Sequence, residues 1–166
     1  MKNFTVLLGA GLVSLLAGCS STPVALAPVG PNPAVGGSQG AEGGLQVYSG
    51  LVGRSEGNNP AWYQHSGYYL YDAGGKRVQR VDNITGYYEQ APRQMVLPAG
   101  KYLVKAQAKD YFWVEVPVTI ESGHTTRIHL DDNWKLPADV SKKELVSLPN
   151  GRPVGWLAES APVDGQ

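Results

Sequence analysis

Cys19 is the only cysteine in the 166 residues of the chain, and its thiol is the group with the clearest chemistry. It closes the sequence Leu16-Ala17-Gly18-Cys19, which follows Lys2 and an apolar run from Val6 to Leu16. A basic residue, a short apolar run and then small residues are typical of a secretory signal peptide. The run is shorter than the roughly 20 residues that a transmembrane helix needs, so it predicts targeting and not a membrane span.

The sequence Leu16-Ala17-Gly18-Cys19 resembles the lipobox of bacterial lipoproteins. The resemblance implies a diacylglyceryl group on the Cys19 sulfur, removal of residues 1–18 as a signal peptide, and frequent acylation of the new amine, as with palmitate. Two or more acyl chains make membrane attachment stable, whereas one is marginal. Ser20 follows the cysteine, which by resemblance to the enterobacterial sorting rule favours the outer membrane of the cell envelope. The alternative is a free or buried cysteine behind an ordinary signal-peptidase cut.

The other reactive side chains do not form a pattern typical of an active site. The spacing of His65, His124 and His129 is not that of zinc ligands. Asp131 and Asp132 could bind a hard cation together with other aspartates, but the alternating oxygens of a calcium loop are missing, which favours a solvated strand end. There is no hydrolase serine elbow and no phosphate-binding loop. With 14 basic and 14 acidic residues there is no nucleic-acid footprint. We therefore expect a non-enzymatic protein without cofactor or metal.

Aromatic residues are concentrated in the middle of the chain, which offers a binding chemistry in place of a catalytic one. The preferred interpretation is that these rings fill a core and favour strands. The alternative is a ligand platform in which rings from the loops at 55–66 and 86–91 stack on sugars or receive apolar groups of a partner. The residues predicted for this platform are Trp62, Tyr63, Tyr87 and Tyr88.

The segment between Cys19 and the first clear strand pattern is rich in proline and glycine. Residues 20–44 contain a single charged residue, Glu42. Such a composition predicts a flexible spacer that buries no core, with a reach of roughly 25 to 30 Å. We therefore expect residues 19–44 to be a lipidated linker that lifts a folded domain away from the lipid headgroups.

Residues 45–131 carry alternating apolar patterns separated by turn residues at spacings near ten. In the clearest, Phe112 to Ile120, the even-numbered residues form an apolar face and the odd-numbered residues the other face. Seven such strands and no helical stretch among them predict an all-β fold, a single antiparallel Ig-like or transthyretin-like β-sandwich. In residues 132–166, Ser141 to Glu144 has the form of a capping box and predicts a short helix to Leu148. Val154 to Leu157 is expected to pack on the sandwich through Trp156.

The run Leu97-Pro98-Ala99-Gly100-Lys101-Tyr102, followed by alternating strands, resembles transthyretin-like or carboxypeptidase regulatory-like sandwiches and PEGA-type modules of bacterial envelope proteins. The resemblance implies a structural, spacing or adhesive unit, and it brings no catalytic residues. Two hypotheses follow. The first is a lipid-anchored structural, assembly or protein-interaction module of the envelope. The second is a lipid-anchored module that binds peptidoglycan or polysaccharide through the exposed aromatic rings.

Overall fold

The computed structural model describes residues 24–54, 62–83, 91–136 and 138–158, and in these ranges the chain is built mostly of β-strands. The strands are β1 (Val24–Ala25), β2 (Val29–Gly30), β3 (Glu42–Tyr48), β4 (Leu51–Arg54), β5 (Trp62–His65), β6 (Tyr68–Asp72), β7 (Arg77–Val81), β8 (Gln94–Pro98), β9 (Gly100–Ala108), β10 (Tyr111–Ile120), β11 (Thr125–His129), β12 (Leu145–Ser147) and β13 (Pro153–Leu157). No helix of the described ranges has the length and apolar character to cross a membrane.

The strands form two main sheets and one separate hairpin. The large sheet has eight strands in the order β12-β13-β2-β10-β9-β6-β7, with β1 also paired to β10. The small sheet has the order β11-β3-β8, and β4 pairs with β5. The predicted all-β fold is confirmed. The sheets are mixed, however, because β1 and β2 run parallel to β10 and β3 runs parallel to β11.

One apolar core contains residues of both main sheets, and β9 and β10 supply its largest share. Alternate residues of β10 from Val114 to Ile120 are buried, which confirms the predicted period of two. The same pattern predicts Phe112 on the buried face, and this prediction is wrong, because its side chain is 80% exposed. The pairing of β9 with β10 shifts register between Tyr111 and Val114, so that the alternation does not extend back to Phe112.

The first described residues belong to the fold, contrary to the prediction of a spacer over 19–44. Val29 in β2 is fully buried against the core and pairs with Val118 of β10. A Cβ at Gly30 would lie 2.8 Å from the Cα of Ala158, so glycine allows β2 to approach the end of β13. Pro31 forms a bridge to Thr126, and β3 already begins at Glu42. The spacer prediction is wrong for these residues. A short segment without an apolar pattern can still join a sheet when its backbone pairs with a free strand edge and one side chain, here Val29, is buried.

The C-terminal segment is also extended rather than helical. Ser141 accepts a hydrogen bond from the Lys143 N–H, as a capping residue does, but only one turn of 3-10 helix follows, Lys142–Glu144. Leu145 is already extended, and Val146 is buried as part of β12. The predicted helix to Leu148 is therefore wrong, since pairing with β13 buries Val146 more completely than an isolated short helix would. The predicted packing of Val154 to Leu157 is confirmed as β13.

Candidate functional site

One end of the molecule is closed by backbone hydrogen bonds between the two sheets. The Gly50 N–H donates to the Gln107 carbonyl (2.7 Å), and the Lys109 N–H donates to the Leu130 carbonyl (2.9 Å). These bonds join the ends of β3 and β11 to the end of β9, next to the Lys109–Asp110 turn into β10. Side chains beyond this seal lie outside the core, and the β4–β5 hairpin starts directly after it.

A cleft of about 510 Å³ lies beyond the seal, between the β4–β5 hairpin and the start of β10. We call it the end cleft. Three of its apolar side chains are exposed, namely Leu51 (42%), Tyr63 (67%) and Phe112 (80%). The polar part of its wall includes Gln107, Lys109, Asp131 and Asn133. An exposed apolar group of this size beside polar groups is a common feature of binding surfaces.

A network of charged side chains holds the rim of the end cleft in place. The Arg152 guanidinium donates to the Lys109 carbonyl (2.6 Å) and lies 3.4 Å from the Asp110 carboxylate. Lys109 and Asp132 form a second ion pair, and their hydrogen bond raises the pKa of Lys109 and lowers that of Asp132. Asp110 and Asp132 both have positive φ, 68° and 77°, in the turns that this network joins. The rim therefore carries two cations and two carboxylates that pair with each other.

A cluster of buried polar groups fixes the base of the β4–β5 hairpin. The Ser49 hydroxyl donates to the Ser66 carbonyl (2.5 Å), and His65 Nδ1 lies 2.7 Å from the Ser49 carbonyl. The Asn83 amide donates to the carbonyl of Val47 (2.7 Å) and to the Ser49 hydroxyl (3.1 Å). These bonds connect Ser49, two residues before β4, to His65, the last residue of β5, and to Ser66, which follows it. They therefore set the direction in which the hairpin presents Tyr63 to the end cleft.

A stack of rings covers the outer side of the small sheet. Tyr48 and His129 lie face to face at 4.4 Å between centroids, and His129 and Trp134 do so at 4.5 Å. Trp156 of β13 meets the edge of this stack at 6.3 Å from Trp134. Burial lowers the pKa of His129 to about 4, although the charge of Asp131 acts in the opposite direction. The ring is therefore neutral near pH 7 and serves as an aromatic layer.

The outer face of the large sheet carries a second set of aromatic groups, mixed with cations. Cross-strand pairing places Tyr69 beside Arg80 and Lys105, and Lys105 beside Glu115. The Tyr69 ring lies 6.0 Å from that of Trp113, and the Arg77 guanidinium lies 5.8 Å from the Tyr69 centroid. We call this surface the basic aromatic face; its members are Tyr69, Tyr71, Arg77, Arg80, Lys101, Leu103, Lys105, Trp113, Glu115 and Pro117.

The structure brings one of the four predicted ring residues into a cleft. Tyr63 is exposed there, as the ligand-platform hypothesis requires. Trp62 is a strand residue whose backbone pairs with Arg54, and its side chain lies outside what the structure describes. Tyr87, Tyr88 and Cys19 also lie outside the described residues. The predicted platform is therefore represented by Tyr63 alone.

Phe112 is the cleft residue that the sequence pattern assigned wrongly. The available signal was the run Tyr111-Phe112-Trp113 directly after the Lys109–Asp110 turn. Three consecutive large rings cannot all face one side of a strand, and a turn is where a bulge often begins. In the structure Phe112 and Trp113 meet edge to face at 6.2 Å, and Phe112 lies on the rim of the end cleft.

Within the described ranges, no three histidine, cysteine or carboxylate side chains lie close enough together to hold a metal ion. No protein-family model matches the chain, and no curated protein or solved structure is significantly similar to it.

Proposed function

We propose that this chain is a non-catalytic lipoprotein of the bacterial cell envelope, attached to the outer membrane through acyl chains on Cys19. Its folded domain acts as an assembly or protein-interaction module. The lipobox sequence Leu16-Ala17-Gly18-Cys19 supports the attachment. The observation that carries the interaction is the basic aromatic face, which combines half-buried rings with cations on one side of a rigid sheet.

The composition of the basic aromatic face is that of an interaction surface. Tyrosine, tryptophan and arginine are the residue types enriched where protein interfaces concentrate their binding energy. Here Tyr69, Tyr71 and Trp113 project from β6 and β10, and Arg77 and Arg80 border them on β7. The side chains stand on hydrogen-bonded strands, so little backbone conformational entropy is lost when a partner binds.

Charge indicates the chemistry of the partner. The whole chain has equal numbers of basic and acidic residues, yet this face carries four cations, Arg77, Arg80, Lys101 and Lys105. Glu115 lies 3.0 Å from Lys105 and offsets one of them. An acidic protein surface would complement the remaining charge, and the attraction would speed association and fix orientation.

The finer fold assignment is part of the same proposal. We infer a two-layer sandwich of the transthyretin-like or carboxypeptidase regulatory-like kind. Its support is that the two sheets share one core and that the run Leu97 to Tyr102 connects β8 of the small sheet to β9 of the large one. In that connection the Tyr102 hydroxyl donates to the Pro98 carbonyl at 3.1 Å.

The attachment is tested by Cys19→Ala in the native host. We expect this variant to lose lipid labelling and to accumulate as uncleaved precursor, because the lipid is added before the cut. Normal processing of the variant would contradict the lipobox assignment. Mass spectrometry of the wild-type N-terminus supplies the direct measurement, since acylation of Cys19 adds the mass of the lipid chains.

The interaction is tested by a photo-crosslinking amino acid at Tyr71, with the same residue at Ser147 as the control. Ser147 is exposed on β12, at the opposite edge of the large sheet. We expect a discrete adduct from position 71 that disappears with Arg77→Glu and Arg80→Glu and persists with Lys142→Glu, a charge reversal on the 3-10 turn. If the adduct persists in the Arg77→Glu and Arg80→Glu variants, the basic aromatic face does not bind the partner.

Glycan binding is the second candidate function, and the exposure of Tyr63 and Phe112 in the end cleft is the observation that favours it. Exposed rings stack on sugars, and Gln107 and Asn133 nearby could hydrogen-bond hydroxyl groups. Retention of the protein on peptidoglycan or polysaccharide, lost with Tyr63→Ala, would support this candidate. Failure of the wild-type protein to be retained would contradict it.

A further inference from the structure

The start of β1 limits how far the folded domain can stand from an acyl group on Cys19. Val24 is hydrogen-bonded into the large sheet beside Val114. Only five Cα-to-Cα steps separate Cys19 from Val24. A chain spans at most about 3.6 Å per residue, so Val24 lies within about 18 Å of the lipidated residue. This distance holds for any conformation of the intervening residues.

The pairing of β1 also shows which end of the domain is near the anchor. β1 runs parallel to β10, with Val24 beside Val114 and Ala25 beside Glu115. The chain therefore enters β1 from the side on which β10 begins. At about 3.3 Å per strand residue, Phe112 lies about 7 Å along β10 from the level of Val24, whereas Ile120 lies about 20 Å away in the other direction. The end of the domain that carries the end cleft is therefore the end nearest to the lipidated residue.

We propose that the end cleft rests on the lipid bilayer that holds the anchor, with Phe112, Tyr63 and Leu51 in the interfacial layer. This inference rests on the proposed lipidation of Cys19 and names the surface that the anchored domain presents to the membrane. The three side chains are exposed together, at the end that the short connection brings to the bilayer. Aromatic rings favour the membrane–water interface, where the apolar body and the polar edge are both accommodated.

The charges at the rim indicate that the contact between the end cleft and the bilayer depends on the exposed rings more than on electrostatic attraction. Arg152 and Lys109 are neutralised by Asp110 and Asp132, and the wall of the cleft adds the carboxylate of Asp131, so this end has no net positive charge to attract anionic headgroups. A contact of this kind forms on zwitterionic lipid and changes little with salt. It also leaves the basic aromatic face pointing sideways, where an envelope partner can reach it.

The test uses the mature acylated protein, which begins at Cys19, in vesicles of phosphatidylethanolamine and phosphatidylcholine. A nitroxide label is placed on Asn133→Cys, at the rim of the end cleft, or on Ser122→Cys, in the exposed turn after β10. The collision rate of each label with an aqueous nickel chelate is measured. We expect the rate at position 133 to be at least twofold lower than at position 122, with a difference that persists in high salt.

Substitution of the rings separates their role from that of the anchor. Phe112→Ser combined with Tyr63→Ser should raise the collision rate at position 133 to that at position 122. The control Val96→Ser replaces an exposed valine on β8 and should leave both rates unchanged. Both sets of residues are exposed, so thermal unfolding is expected to be preserved and confirms that each variant folds.

Each other outcome contradicts a specific step. Acylated Cys19 with equal rates at the two positions overturns the membrane contact and leaves the lipoprotein assignment intact. An N-terminus without acyl chains in the mass spectrum overturns the assignment itself. A rate difference that survives the double substitution overturns the role of the rings. Retention on peptidoglycan that depends on Phe112, together with an aqueous label at position 133, assigns the cleft to glycan and overturns the membrane contact.

Discussion

The core shared by the two sheets and the end cleft contain the same types of apolar side chain in opposite environments. Leu70 of β6 is fully buried, whereas Leu51 of β4 is well exposed. Val114 of β10 is fully buried, whereas Phe112, two residues earlier in the same strand, is the most exposed of the large apolar side chains in the described ranges. The boundary between the two regions is the pair of backbone hydrogen bonds at Gly50 and Lys109.

This difference shows that folding does not account for the residues of the end cleft. The two hydrogen bonds of the seal join backbone atoms of Gly50, Gln107, Lys109 and Leu130, and the side chains of Leu51, Tyr63 and Phe112 are exposed beyond them. Scattered exposed apolar residues are normal on protein surfaces, but three around one cleft form a patch. An apolar patch that does not contribute to the core is available to bind a ligand, a partner or a membrane.

The largest expected effect comes from truncating matched leucines in the two regions. Leu70→Ala removes a fully buried side chain and should lower the free energy of unfolding by about 2 to 5 kcal/mol. Leu51→Ala removes an exposed one and should change it by less than about 0.5 kcal/mol. Urea unfolding of the two variants measures both values. A loss at Leu51 as large as that at Leu70 would place the end cleft within the core.

A pH titration tests a third environment, the ring stack outside the small sheet. Burial lowers the pKa of His129 to about 4, below its ordinary value near 6.5. The unfolded chain therefore binds the proton more readily than the folded one, and stability should fall as pH decreases from about 6.5 to about 4. The lowered pKa corresponds to a loss of about 3 kcal/mol at pH 4, and to somewhat less because the ring is only partly buried.

The matched variants for this titration are His129→Phe and His124→Gln. His129→Phe keeps a ring between Tyr48 and Trp134 and should remove most of the loss between pH 6.5 and pH 4. His124→Gln changes a histidine in the turn before β11, outside the ring stack, and is the control for replacing a histidine elsewhere in the domain. Equal pH dependence in the wild type and His129→Phe would show that another group controls acid unfolding.

A smaller difference is expected between two valines of the segment that the sequence predicts to be a spacer. Val29→Ala should lower the free energy of unfolding by about 2 kcal/mol, because Val29 is fully buried between β10 and β13. Val35 is 54% exposed, so Val35→Ala should cost less than about 0.5 kcal/mol. If both variants were as stable as the wild type, the segment would behave as a spacer, and the short connection to Cys19 would lose its basis.

The sequence predicts the parts of the fold in which a long pattern repeats. The alternation in β9 and β10 spans nine and ten residues, so the residue types alone assign the buried face from Val114 to Ile120. Val154 to Leu157 is too short to show an alternation, and it is predicted to pack only because its apolar residues follow a clear turn. In β9 and β10 the order of residue types determines the strand and its buried face, because every second side chain points to the same side.

The parts that could not be predicted depend on single contacts between distant residues. β1 and β2 contain two residues each, too few to show a period, and they form because β10 offers an unpaired edge. The exposure of Phe112 follows from a register shift; the run Tyr111-Phe112-Trp113 after a turn indicates that one of these rings must face outward, but it does not say which one. The end cleft combines residues from β4, β5, β9 and β10 with the segment after β11, so only Tyr63 could be proposed from its own neighbourhood.

The smallest expected effect concerns the outer surface of the large sheet, where Glu115→Gln tests whether the basic aromatic face differs from the core. Glu115 and Lys105 form an ion pair at 3.0 Å, with both side chains about one-third exposed. Breaking such a pair should cost less than about 1 kcal/mol, and less in high salt, because water and ions already screen it. The substitution also makes the face more positive by one charge, so the adduct formed from position 71 should increase.

A loss of stability above about 2 kcal/mol would contradict this view of the face. It would mean that Lys105 is left as an unpaired charge in an environment without water, as in a core. The face would then be part of the packing that stabilises the fold, and its charges would no longer indicate an acidic partner.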